Sequence, residues 1–129
     1  LEKTRIQTMG KSILIVDDSE SIREVVSFTL ESAGHQVMKA ENGQDALKFL
    51  DGTSIDLMIT DLHMPIMDGI ELIKNVRANG SYQFIPILFL TTESQNEKKM
   101  QAKEAGATGW IVKPFVPEKL LAAVAKVVR

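Results

Sequence analysis

Residues 56–69 read DLMITDLHMPIMDG. Together with Ile55, the first part forms an apolar run broken only by Asp56, which reads as a strand over Ile55-Asp56-Leu57-Met58-Ile59. An acid, Asp61, stands just past its end. Turn chemistry follows at Met64-Pro65 and Asp68-Gly69. Ile70, Ile73 and Val76 then recur at helical spacing until Asn79-Gly80. A continuous apolar strand feeding an acidic loop and then an amphipathic helix is the unit of a sheet covered on both faces.

The same unit recurs in both directions from this stretch. Upstream, Ile13-Leu14-Ile15-Val16 is a second buried-strand pattern, followed by Asp17-Asp18. Ile22, Val25, Val26, Thr29, Leu30 and Ala33 form the next helical stripe, with Asp18 or Ser19 as its cap and Gly34 past its end. Gln36 to Lys39 is a weaker strand, and Ala46, Leu47 and Leu50 mark a short helix after Asn42-Gly43. Downstream, Ile87-Leu88-Phe89-Leu90 is a third buried strand and Gly109 to Val112 a weaker one. Leu120, Leu121, Val124, Val127 and Val128 mark a last helix, with Pro117 suited to its first turn. The helix expected between about Ser94 and Ala105, SQNEKKMQAKEA, offers only Met100, Ala102 and Ala105 as anchors. With so little to bury it is expected to be the most mobile regular element. Five β-α repeats imply an α/β fold with a parallel sheet, right-handed crossovers and helices on both faces.

Composition sets the frame. The chain has 129 residues, 44% hydrophobic and 25% charged, which suits one globular domain. A net charge of −2 gives no basic footprint for nucleic acid. With no cysteine, thiolate metal sites and disulfides are excluded. No apolar run approaches the ~20 residues that span a bilayer, and no signal peptide is evident, so membrane insertion is not expected and the cytoplasm is the default location. Residues 1–8 are polar and lack periodicity, and Met9 directly precedes the first strand. Residues 1–8 are therefore expected to be a disordered tail or a remnant of expression engineering, and 9–129 the domain. The last helical stripe runs to the end of the sequence, so no output domain is expected.

In open parallel sheets, functional groups collect beyond the carboxyl ends of the strands. Here those ends carry Asp17-Asp18, Asp61, Thr91-Thr92 and Lys113-Pro114. An acid after a strand can simply cap the next helix, and for Asp18 that alternative stays open. It fails for Asp61, because two turns intervene before the next helix. At ~5 Å and an effective dielectric of 20, each ionised carboxylate pair repels by about 3 kcal/mol. Lys113 or a hard divalent cation must offset this, and an oxygen-only acidic set suits Mg²⁺. No histidine pair suits zinc.

These motifs, ILIVDDS, DLMITDLHMPIMDG, ILFLTT and GWIVKPF, resemble the receiver domain of two-component response regulators, in particular the CheY-like single-domain chemotaxis type. The resemblance covers Lys11 to Arg129. It implies a flavodoxin-like (βα)5 doubly wound sandwich with strand order 2-1-3-4-5. It implies that Asp61 is the phosphoacceptor, and that Asp17, Asp18, Asp61 and the backbone carbonyl of His63 hold Mg²⁺. Lys113 would pair with the phosphoryl oxygens and Thr91 would be the switch hydroxyl. Trp110 matches the aromatic switch position, where tyrosine or phenylalanine is more usual. Its larger indole needs more room to turn inward, and simple core packing is the alternative to a switch role. His63 and Glu93 match positions that tune phosphoryl lifetime. The chemistry agrees: a carboxylate nucleophile gives an acyl phosphate, and phosphoryl transfer needs positioning and charge neutralisation. The Lys113-Pro114 peptide bond is expected to be cis, a sharp turn that aims the ammonium at Asp61. The fourth helix, fifth strand and fifth helix, with Lys98, Lys99, Trp110 and Lys119, are the expected output face.

The implied role is a phosphorylation-dependent binding module, catalysing only its own phosphorylation and slow autodephosphorylation. A histidine kinase would be the phosphodonor and another protein the effector, such as the flagellar motor switch protein in chemotaxis. A phosphatase is a further candidate partner. An alternative is a phosphorelay intermediate passing the group to a histidine phosphotransferase. An aspartyl-phosphate phosphohydrolase is more remote, because that class spaces two aspartates one residue apart after strand one. An FMN carrier is disfavoured by Asp17-Asp18 in the loop that would face its phosphate. Gly10-Lys11-Ser12 resembles the end of a P-loop, but Arg5 stands where its first glycine belongs.

Overall fold

The structure is a computed structural model, and it describes residues 10–128. The tail expected at residues 1–8 lies outside them. Five strands form one parallel sheet: β1 (Ser12–Val16), β2 (Gln36–Ala40), β3 (Leu57–Thr60), β4 (Ile87–Thr91) and β5 (Gly109–Val112). Their spatial order is β2-β1-β3-β4-β5, and every pairing is parallel. The helices are α1 (Glu20–Ser32), α2 (Gly43–Leu47), α3 (Gly69–Ala78), α4 (Asn96–Ala105) and α5 (Pro117–Val127). This is the flavodoxin-like arrangement, with a helix after each strand and the first four helices serving as crossovers.

Alternation along the strands divides the core in two. Leu14, Val16, Met58, Ile87 and Phe89 face one side, where they meet Ala46 of α2, Leu72, Ile73 and Val76 of α3, and Ala102 of α4. Ile13, Ile15, Leu57, Ile59, Leu88 and Leu90 face the other, against Val26 and Leu30 of α1 and Leu120 and Val124 of α5. Both sets are buried, so the strands read as unbroken apolar runs even though adjacent residues serve opposite layers. Each fully buried aliphatic side chain contributes about 1.5–3 kcal/mol.

Several local expectations shift. β3 starts at Leu57 rather than Ile55, because Asp56 leaves the apolar pattern to accept the Ser12 N–H on its carboxylate (2.8 Å). The α1 stripe loses Val25, which is 51% exposed, while Ser27 is buried in its place. α2 stops at Leu47, so Leu50 packs on the core from the following turn. α4 begins at Asn96 rather than Ser94. Its Met100 is 64% exposed and anchors nothing, so Ala102 is its one buried residue.

Caps follow the turn chemistry. Ser19, not Asp18, caps α1, its Oγ accepting from Ile22 N–H at 3.3 Å. Asn42 caps α2 and Asp68 caps α3 through their side-chain oxygens. α4 has no side-chain cap bond at Gln95, but Gly106 closes its other end at φ 111. The Lys113-Pro114 bond is cis. Among the described residues no helix is long and apolar enough to cross a membrane.

Candidate functional site

The carboxyl ends of β1, β3, β4 and β5 bring Asp17, Asp18, Asp61, Thr91 and Lys113 to one edge of the sheet. Asp61 follows β3 directly and is held from several directions. Its N–H donates to the Val16 carbonyl (2.9 Å), and the Thr60 hydroxyl donates to its carbonyl (2.9 Å). Its Oδ1 accepts from Leu62 N–H (2.6 Å). The loop then folds back so closely that a Cβ on Gly69 would collide with the Asp61 carbonyl and the Phe89 ring. The glycine that opens α3 thus also permits the turn that aims Asp61.

Lys113 joins two of the acids. Its Nζ donates to Asp17 Oδ2 at 2.7 Å and to Asp61 Oδ2 at 3.0 Å. All three side chains are largely shielded, at 11% exposure for Lys113, 4% for Asp17 and 12% for Asp61. Asp18 is different. It is exposed, and no hydrogen bond engages it among the described residues. Carboxylate oxygens of Asp17, Asp18 and Asp61 nonetheless lie within 4.8 Å of one another.

Burial pushes the Asp17 carboxyl above its ordinary value, against the opposing hydrogen bond from Lys113, and the neighbouring Asp61 adds to the rise. For Lys113, burial pulls the ammonium down, but its bonds to Asp17 and Asp61 outweigh this and hold it above the usual lysine value. The Lys113 ammonium therefore pairs with two of the three converging carboxylates and leaves Asp18 without a cation among the described residues. A hard divalent cation fits what remains: oxygen donors only, two of them largely shielded, and one side open through Asp18. The residues present are compatible with Mg²⁺ held by Asp17, Asp18 and Asp61.

Thr91 is fully buried at the end of β4. Its Oγ accepts from Glu93 N–H at 3.2 Å, so its hydroxyl oxygen is tied to the β4-α4 loop rather than to Asp61. Glu93 is a junction. Its carboxylate meets His63 Nε2 at 2.9 Å and accepts from Gln95 N–H at 3.1 Å, and its carbonyl accepts from the Trp110 indole N–H at 3.0 Å. The His63 hydrogen bond is the main cause holding the Glu93 carboxyl below its ordinary value. The two residues expected to tune phosphoryl lifetime are therefore in contact.

Trp110 is half-buried, its ring 5.1 Å from that of Phe89 at a tilt of 42°. It borders a groove of about 240 Å³ with Lys99 and Ala102, and another of about 350 Å³ with Lys119. Of the residues expected on an output face, these adjoin; Lys98, half-buried on α4, borders neither groove. Sequence reasoning missed Arg23, whose guanidinium donates to the Asp17 carbonyl at 2.7 Å. Only its place one turn beyond Asp17-Asp18 could have signalled it.

The response regulator receiver domain family matches residues 13–125. The chain is 41% identical over 110 residues to a chemotaxis protein CheY homolog of Campylobacter jejuni, covering 84% of this chain and 85% of that protein. It is 39% identical over 121 residues to the phosphate regulon transcriptional regulatory protein PhoB of Pseudomonas aeruginosa. That alignment takes in 94% of this chain but spans only 53% of PhoB. Among solved structures, chemotaxis protein CheY4 of Vibrio cholerae superposes with a TM-score of 0.88 at 48% identity, covering 92% of this chain and 98% of that one.

Proposed function

This chain belongs to the response regulator receiver domain family, and from that premise we propose that Asp61 accepts a phosphoryl group from a histidine kinase and that the phosphorylated form signals by binding another protein. The observation that carries the reading is Lys113, which bridges Asp61 and Asp17 beside the uncommitted Asp18. That arrangement holds a nucleophile, a fixed positive charge and a hard-cation donor set at one open edge.

The transfer is an in-line displacement. A carboxylate oxygen of Asp61 forms the new P–O bond, and the P–N bond to the donor imidazole breaks, with the electron pair leaving on nitrogen. Asp17 and Asp18, with the His63 backbone carbonyl, would hold Mg²⁺, which when bound neutralises charge on the phosphoryl oxygens. Lys113 moves part of its hydrogen bonding from Asp61 to the transferred group. The Thr91 hydroxyl then donates to a phosphoryl oxygen, which requires it to release Glu93 N–H. His63 and Glu93, joined beside this edge, limit water access and so set the lifetime of the product. The only reactions of the domain itself are phosphorylation and slow autodephosphorylation.

The output surface is α4, β5 and α5, with Lys98, Lys99, Trp110 and Lys119. The likeness to the chemotaxis proteins of Campylobacter and Vibrio favours an effector such as a flagellar motor switch protein, with a phosphatase as a further partner. The alignment with PhoB keeps a second reading in view, in which the domain serves another phosphorelay.

Intact mass after incubation with phosphoramidate tests the transfer. A phosphoryl adduct is expected with Mg²⁺ and not with chelator. An adduct that forms equally in chelator removes the metal role, and none under either condition removes the phosphoacceptor. Pull-down of the phosphorylated form by a motor-switch peptide, and not by a histidine phosphotransferase, is expected for the chemotaxis assignment; the reverse selects the phosphorelay.

A further inference from the structure

Asp17 is engaged at every hydrogen-bonding group it has. Its N–H donates to the Ala40 carbonyl at 3.1 Å, its Oδ1 accepts from Ser19 N–H at 2.9 Å, and its Oδ2 accepts from Lys113 at 2.7 Å. The sheet, the cap of α1 and the lysine account for these. The fourth group is the carbonyl, which accepts from Arg23 Nη1 at 2.7 Å. Arg23 lies at the end of the first turn of α1, and its own N–H donates to the Ser19 carbonyl at 3.0 Å. It therefore reaches back across the cap to the residue before the loop.

The direction of that bond is informative. Arg23 stands beside an excess of negative charge, and Asp18 in the same loop is free to take a guanidinium. Yet it donates to a neutral backbone carbonyl, and no ion pair joins it to a carboxylate among the described residues. A charge serving to neutralise the cluster would bind a carboxylate, often through both nitrogens of the fork. Here the planar group clamps the backbone instead, which ties the Asp17 peptide to α1 and fixes where its carboxylate points.

We propose that Arg23 is a positioning residue for phosphoryl transfer: by clamping the Asp17 carbonyl to α1 it holds the Asp17 carboxylate in place for Lys113 and a divalent cation and leaves Asp18 open to the same cation. The inference rests on the reading of Asp61 as a Mg²⁺-assisted phosphoacceptor. It also makes a prediction of opposite sign to simple electrostatics. Removing a positive charge beside three carboxylates should tighten a cation. Removing a clamp on a ligand should loosen it, by roughly 10- to 100-fold where outer partners of metal ligands are lost.

Mn²⁺ serves as a spectroscopic substitute for Mg²⁺, since both take oxygen ligands, and free Mn²⁺ is counted by electron paramagnetic resonance. For Arg23→Gln, Mn²⁺ affinity is expected to fall about tenfold, the low end of that range. Its melting temperature in chelator should stay close to that of the wild type. Arg23→Lys keeps the charge without the planar fork and should recover only part of the affinity; it carries the test alone if Arg23→Gln does not fold. Affinity unchanged or raised in Arg23→Gln, or fully restored in Arg23→Lys, overturns the proposal. The functional reading fails separately, and takes the inference with it, if the wild type neither binds Mn²⁺ nor gains a phosphoryl mass from phosphoramidate.

Discussion

Individual residues here carry conflicting demands. Asp61 shares one edge with Asp17 and Asp18, and the Lys113 ammonium pairs with Asp61 and Asp17 but not with Asp18. Asp61→Asn keeps a side chain that can accept from Leu62 N–H but removes one repelling charge. In chelator the variant is expected to melt higher by about 1 kcal/mol, or about 3–5 °C for a domain of this size; thermal melts in chelator check this, and a lower value means that the Lys113 contact outweighs the repulsion. His35 carries a second conflict. Its Nδ1 accepts the Lys11 N–H at 3.3 Å, and burial, helped by Lys11, holds its imidazole below the ordinary value of 6.5. The unfolded chain therefore takes up its proton first as pH falls. Stability from this group is complete above about pH 7.5 and is lost as pH drops through 6.5 toward the lower folded value. Between about pH 7.5 and 5.5 the wild type should lose more melting temperature than His35→Asn, the contributions of Asp17 being common to both. Parallel curves for the two proteins would exclude this role.

At the scale of elements, loops do the positioning and helices fix the loops. Gly69 is the tightest example, since a Cβ there meets the Asp61 carbonyl and Phe89. Gly69→Ala is expected to destabilise by about 3 kcal/mol, the upper end for overpacking, because backbone must yield. It should slow phosphorylation as well, and urea melts with normal stability would show that the loop has slack. α4 is held unevenly. Its start lacks a side-chain cap, while Arg77 ties its end by donating to the Gly106 carbonyl at 2.7 Å and to the carbonyls of Gln83 and Ile85. Much of this was legible beforehand. Unbroken runs such as Ile87 to Leu90 identify strands buried on both faces, and alternation with helical stripes gives the fold class. The acids and Lys113 were legible because strand ends converge. Helix faces were less so: Val25 obeys the apolar spacing of α1 but is exposed, and Met100 cannot anchor α4 from the side it occupies. Contacts such as His63 with Glu93, 30 residues apart, and Arg23 with a backbone carbonyl have no periodic signature.

For the whole molecule, the question is how an event at Asp61 reaches α4, β5 and α5. Thr91 binds Glu93 N–H, and the Glu93 carbonyl binds the Trp110 indole, so one loop connects the strand end to the exposed grooves. If Thr91 turns to a phosphoryl oxygen, that loop loses a restraint and α4, with one buried residue, can follow at little cost. In that case phosphorylation would shift the populations only by its different interaction with the two states, and a partner bound at the proposed output face would favour phosphorylation reciprocally. Trp110 is the only tryptophan, so its emission should change on adding beryllofluoride with Mg²⁺, with altered hydrogen exchange over residues 94–112. A saturating mimic that leaves both unaltered would mean that no such coupling exists.

The central claim, that Asp61 is the phosphoacceptor, has a direct chemical readout. An aspartyl phosphate is an acyl phosphate, which borohydride reduces so that the aspartate becomes homoserine. The protein is incubated with phosphoramidate and Mg²⁺, reduced, digested and sequenced by mass spectrometry. The expected result is homoserine at position 61 in the wild type and at no position in Asp61→Asn. Homoserine at position 17 or 18, or its persistence in Asp61→Asn, would contradict the claim.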